Sequence, residues 1–160
     1  MADWLKTTSL SAFVNQTAWV WPLLQILHFF GLAMLIGMAA LLDLRILGLG
    51  KGLRPSGIHR MMRIGIAGFV INIITGVGFL AGDPDHFLGN PAFQAKMALL
   101  VIAGMNVSVF YLTGLGRRVD AMGPQDSAPL AAKWIAVTSL LCWAGVMYCG
   151  RMLPYLGNSF

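Results

Sequence analysis

The chain contains no glutamate, its six acids are all aspartate, and only 11% of its 160 residues are charged against 58% that are hydrophobic. A soluble domain of this size carries roughly twice that charge. A free-standing aqueous domain is therefore excluded, and a membrane protein is expected. Histidine and cysteine are scarce as well. His28, His59 and His86 are too few for an eight-histidine di-iron membrane oxygenase. Cys142 and Cys149 stand seven residues apart, roughly 10 Å on one helix, which is too far to bridge or to chelate one metal together. A P-loop, HExxH, CxxC, G-x-S-x-G and a dinucleotide fingerprint are all missing, which argues against a hydrolase or a nucleotide-dependent enzyme.

What the sequence has instead is four charge-free stretches, residues 23 to 42, 64 to 82, 97 to 116 and 134 to 150. Each can extend past its flanking charge to the ~20 residues that cross a bilayer as a helix. They are too long and too unalternating for barrel strands. The expected fold is all-α: one domain over 1–160, a polytopic four-transmembrane-helix bundle with helices near 21–45, 56–81, 91–115 and 130–153. The opening "MADWLKTTSLSAF" lacks the basic-then-apolar order of a signal peptide, so no cleavage is expected. Residues 1–19 read as an interfacial segment in which Leu10, Phe13 and Val14 face lipid.

The formal charge of +5 is not a nucleic-acid signature, because its distribution follows a membrane rule. Arg45, Lys51, Arg54, Arg60 and Arg63 surround the first connection, and Arg117, Arg118 and Lys133 flank the third. Basic connections face the cytoplasm. Both termini and the connection "GDPDHFLGNPAF" are then expected on the non-cytoplasmic side, in an inner (cytoplasmic) membrane.

Polar groups inside the spans are costly and suggest function by default. Pro22 fits the first turn of helix one, which puts His28 roughly 9 Å below the outer end. Asn90 and Pro91 read as cap and first residue of helix three, which puts Lys96 about 8 Å down from the same face. Gln25 lies one turn from His28, and His86 sits in the loop above. Gln25, His28, His86 and Lys96 are therefore the candidate outer cluster, with His28 and His86 as candidate metal ligands. Lys96 snorkelling to the headgroups and His28 bonding across helices are the plain alternatives.

Gly31, one turn below His28, and the face Gly65, Gly68, Asn72 and Gly76 on helix two offer close approach either to a flat macrocycle or to another helix. Were b-type haem bound, neutral His28 would be its axial ligand and Lys96 the partner of a propionate. The second ligand would be His86, a methionine among Met34, Met97, Met147 and Met152, or a second His28 across a homodimer. Copper is the alternative for a methionine-rich chain, and no cofactor at all is the third. At the inner end Asp43 has Arg45, Arg60 and Arg63 as candidate partners, and a salt bridge there would tie helix one to helix two. Asn106, Ser108, Thr138 and Ser139 read as hydrogen-bonding groups between helices.

"LHFFGLAMLIGMAALLDLRILG" followed by a Pro-started helix, then "DPDHFLGNPAFQAKM", resembles a set of uncharacterised four-helix bacterial inner-membrane proteins. These are similar in pattern to the membrane part of copper-resistance D-type proteins and to small b-type cytochromes. The resemblance covers residues 20 to 115 and implies recurring positions at His28, Asp43, Arg45, Asn90, Pro91, Lys96 and Asn106. Such proteins often carry a histidine near the inner end of helix three, where this chain has Tyr111 in "NVSVFYLTG".

The first expectation is a small electron-transfer protein holding b-type haem near the outer face, working with a redox partner protein or quinone. A small-molecule or copper binding or transport module, and a structural oligomerising subunit, are the alternatives. Self-association into a homo-oligomer and contact with membrane lipid are expected in each case, and no nucleic acid.

Overall fold

The computed structural model describes residues 3–156, so the first two residues of the interfacial segment and the last four of the chain lie outside the described residues. Among the described residues the protein has helices and no strand, and four helices are long and apolar enough to cross a membrane.

Two short helices, α1 (Asp3–Lys6) and α2 (Ser9–Gln16), precede the first span. Thr8 caps α2 by accepting the Ser11 N–H at 3.2 Å, satisfying one of the donors a helix start leaves free. The segment is anchored rather than merely laid on lipid. Ser11 and Val14 are buried against the bundle, Asn15 donates to the Gly82 carbonyl at 2.9 Å, and Lys6 pairs with Asp85. Leu10 and Phe13 stay exposed, as expected.

The first span, α3 (Val20–Leu47), ends where Gly48 adopts φ 103, with the Gly48 and Leu49 N–H groups bonding back to the Arg45 and Leu44 carbonyls. Glycine tolerates this left-handed geometry without the usual Cβ penalty, so the chain stops here. The second span, α4 (Pro55–Gly82), starts with proline, whose missing N–H costs nothing at a helix start. A short α5 (Pro84–Leu88) follows, capped by the Asp83 carboxylate on the His86 N–H. The third span, α6 (Pro91–Leu112), begins as expected on the Asn90 cap, whose carbonyl accepts the Ala92 N–H at 2.9 Å. The expected run to residue 115 is corrected. Gly114 at φ 74 breaks the helix, and α7 (Leu115–Asp120) turns away. The last span, α8 (Leu130–Leu156), runs three residues past the expected 153 and takes Pro154 into its last turn.

α3 and α4 form the closest pair. Residues at alternating three- and four-residue steps on α3 meet a matching row on α4, the 3.5-residue repeat of knobs-into-holes packing. A Cβ on Gly68 would lie 2.5 Å from the Gly31 carbonyl oxygen and 2.8 Å from Met34 Cβ, and one on Gly65 would lie 3.3 Å from Met38 Cβ. Further along, Leu24 fills the space at Gly78 and Trp21 that at Gly82. Gly76 is not part of this seam, since a Cβ there would meet nothing within 4 Å. α8 packs on both α3 and α6, while α4 and α6 make few direct contacts. Along α6, Asn106 donates to the Ile135 carbonyl of α8 at 3.0 Å, and Asn90 donates to the Leu153 carbonyl at 2.9 Å. Asn106 is thus interhelical as expected. Ser108 is corrected, because it returns its hydrogen bond to Gly104 of its own helix at 2.9 Å.

The expected salt bridge at the basic end is also corrected. Arg45 is 1% exposed and donates to the carbonyls of Leu53 at 2.8 Å, Gly123 at 3.0 Å and Pro124 at 2.8 Å. Its guanidinium is spent on joining the two basic connections, whose carbonyls supply the acceptors that a buried cation needs. Asp43 instead faces α8, where Ser139 lies within hydrogen-bonding reach, and its Oδ2 has no partner among the described residues. Neither Arg60 nor Arg63 pairs with Asp43.

Candidate functional site

In the half of the bundle away from the basic loops, His28 sits on the α3–α4 seam. Its Nδ1 is 2.7 Å from Thr75 Oγ1, and the same hydroxyl donates to the Ile71 carbonyl at 2.8 Å. A hydroxyl has one proton, so Thr75 accepts from His28 and the imidazole carries its proton on Nδ1. Nε2 keeps its lone pair and has no hydrogen-bond partner among the described residues. Phe79 lies edge-on to the ring at 5.5 Å.

Of the expected outer cluster, the structure brings two members near each other. Lys96 is half-buried against Gly150 of α8 and within electrostatic reach of the His28 ring, and it has no hydrogen bond or ion pair among the described residues. Gln25 is exposed on the lipid-facing side. His86 packs on Phe87, which meets Phe79 in turn, so rings rather than a shared ligand connect it to His28. Gly31 is corrected as a cofactor face. A Cβ there would stand 2.8 Å from both Asn72 Nδ2 and the Gly68 oxygen, so α4 already fills the space. Asn72 donates to Gly68 of its own helix at 2.9 Å, leaving Oδ1 buried without a partner among the described residues.

Tested against haem, these residues offer one imidazole nitrogen without a hydrogen-bond partner among the described residues, and His86, the expected second histidine, is separated from His28 by the rings of Phe87 and Phe79. Among the described residues no group of three or more His, Cys, Asp or Glu is placed to hold a metal ion.

The more completely built constellation lies at the basic end and joins three elements. His59, one turn into α4, places Nδ1 2.8 Å from Asp120 Oδ1 at the end of α7, and Nε2 2.6 Å from the Tyr111 hydroxyl on α6. A carboxylate only accepts, so in the neutral imidazole the Nδ1 proton points to Asp120 and Nε2 accepts from Tyr111. The order Asp120, His59, Tyr111 is that of a carboxylate orienting an imidazole that holds a hydroxyl, as in hydrolytic triads, with phenol in place of serine. Together with Ser56, Arg60, Met62, Arg63 and Ile66, the three residues line a groove of about 360 Å³.

Local chemistry explains the assembly. Pro55 starts α4 so that His59 falls one turn in. Gly114 breaks α6 just after Tyr111 and folds α7 back, which delivers Asp120. The one sequence signal at Tyr111 was that the resemblance leads one to expect a histidine near its position. The Asp120 contact had no signal, because it depends on a helix break.

Outside the spans, Lys6 beside Asp85 holds that carboxyl below the usual carboxylate range, chiefly through their hydrogen bond. No family model, curated protein or solved structure matches the chain.

Proposed function

We propose that the protein is a membrane-embedded binding module for a small amphipathic ligand, taken into the groove at the basic end. The observation that carries this reading is the Asp120–His59–Tyr111 chain assembled from three separate elements at the wall of that groove. Exposed polar residues that only solvate a helix end need no such convergence. Met62 and Ile66 give the groove an apolar side, and the scant packing of α4 on α6 leaves lateral access from lipid. Sites that combine apolar walls with a few convergent polar groups suit ligands of mixed character. By the positive-inside rule the groove opens on the cytoplasmic face, and the resemblance of residues 20 to 115 supports a bacterial inner membrane as the setting.

The test is photolabelling of the full chain in lipid nanodiscs with an alkyl-diazirine amphiphile, the attachment sites being mapped on peptides. Labels are expected to concentrate around Met62, Ile66 and Tyr111 and to fall in Ile66→Trp, which fills the groove from an exposed position. Even labelling of every lipid-facing surface, unchanged by Ile66→Trp, contradicts the proposal.

A second reading, b-type haem carried for electron transfer, is favoured by the unpaired His28 Nε2 with Lys96 nearby. Its second ligand would come from one of the candidate methionines or from a second His28 across a homodimer. A Soret band in the purified protein, lost in His28→Ala, supports it, and a colourless protein made under haem-replete conditions sinks it.

A further inference from the structure

Resting on the binding reading above, we infer that the groove selects amphiphiles with an anionic head, a phosphate monoester or carboxylate, held by Arg60 and Arg63. Three features of the site lead there. Arg60 and Arg63 are three residues apart on α4, so they share a helix face. Both line the groove, and neither has a hydrogen bond or ion pair among the described residues. The one acid at the groove, Asp120, is engaged by His59 at 2.8 Å, so its negative charge is directed into the imidazole rather than towards an incoming anion. The site therefore presents unspent guanidinium groups, whose fork geometry matches carboxylate and phosphate oxygens.

Depth separates a lipid-borne anion from a soluble one. α4 has 28 residues and is about 42 Å long, roughly 12 Å more than the hydrocarbon layer, so a centred, upright α4 would overhang by about 6 Å at each end. Arg60 attaches about 7 Å and Arg63 about 12 Å along the helix from Pro55, at and below the hydrocarbon boundary. An anion that meets both guanidinium groups there is best carried by a molecule that already partitions into the membrane. Met62 and Ile66 continue the groove towards exposed Phe69 and Ile73 of α4, giving an alkyl chain an apolar path. Snorkelling accounts for the exposure of an arginine at this depth, but not for a carboxylate and a phenol both hydrogen-bonded to one imidazole beside it.

Competition against the photolabel in full-chain nanodiscs tests this. Decyl phosphate is expected to displace the label at a concentration at least about tenfold below that of decanol, given the strength of charge-assisted hydrogen bonds. The Arg60→Gln/Arg63→Gln variant is expected to erase that preference while keeping the label site, because both side chains are exposed and unpaired. Inorganic phosphate is expected not to compete at matched concentration. Equal competition by decanol overturns the anion assignment while leaving the binding reading intact. Competition by inorganic phosphate as strong as that by decyl phosphate overturns the amphiphile assignment in favour of a soluble anion. A preference that survives in the double variant overturns the role of the arginines. Labelling that ignores the groove altogether defeats the binding reading itself.

Discussion

The two ends of the bundle handle charge in opposite ways. At the basic end Arg45 is saturated by loop carbonyls and His59 by Asp120 and Tyr111, so both polar nitrogens of that imidazole are used. In the other half His28 uses one ring nitrogen on Thr75, and Lys96 has no hydrogen-bond or ion-pair partner among the described residues. The Asn90 and Asn15 side chains, together with the Lys6–Asp85 pair, hold that end together. Arg45 is buried and spent on loop carbonyls, whereas Arg60 and Arg63 are exposed and have no hydrogen bond or ion pair among the described residues.

The largest expected effect comes from Arg45→Met. It removes the buried donor of three or more partly buried loop carbonyls, at about 1 kcal/mol each. Thermal unfolding in detergent should show a loss of several kcal/mol, and unchanged stability would mean that water replaces the guanidinium. Next is Gly68→Ala, expected to cost about 1–3 kcal/mol by forcing α3 from α4. Gly76→Ala is its control, since its Cβ meets nothing and alanine favours the helix by about 1 kcal/mol. Equal behaviour of the two glycines in the same melts would refute the seam.

Removing a single hydrogen bond should matter less. Thr75→Val takes the acceptor from His28 Nδ1, at about 1 kcal/mol. Its check is the His28 ring signal by NMR, which should move while that of His59 stays in place. The smallest effect belongs to Asp85→Asn. Lys6 lowers the Asp85 pKa in the folded protein, so the pair stabilises above the unfolded carboxylate pKa. That contribution is lost as pH falls through the lower folded value. The acid limb of a stability profile should therefore flatten slightly in Asp85→Asn. Because both groups are exposed the change should be small and salt-screened, and a large change would indicate that α1 is more tightly docked than its exposure implies.

Much of the fold was legible because hydrophobic length and terminal chemistry are local. Pro55, Pro91 and the Asn90 cap announce helix starts, and the charge-free runs announce spans. The end of α6 was missed because the stretch up to Gly116 is free of charge, and only the left-handed backbone at Gly114 stops it. The α3–α4 glycines were legible as a close-approach face, but whether a helix or a macrocycle fills it depends on where α4 lies. The outer polar group was legible in depth and not in direction. His28 and Lys96 were placed at one level by residue counting, while Gln25 turned to lipid and His86 was screened by Phe79 and Phe87. The basic-end chain was the least legible part, since His59, Tyr111 and Asp120 are separated by long stretches and meet only after α7 folds back.

The most direct test of the account is the ¹⁵N spectrum of the three histidines in the full chain in lipid nanodiscs, assigned with His28→Gln, His59→Gln and His86→Gln and recorded at mildly alkaline pH. The account predicts that His59 carries its proton on Nδ1, that its Nε2 signal moves in Tyr111→Phe, and that decyl phosphate perturbs His59 while leaving His28 unmoved. A His59 signal indifferent to both Tyr111→Phe and decyl phosphate, or a ligand response confined to His28, would contradict it.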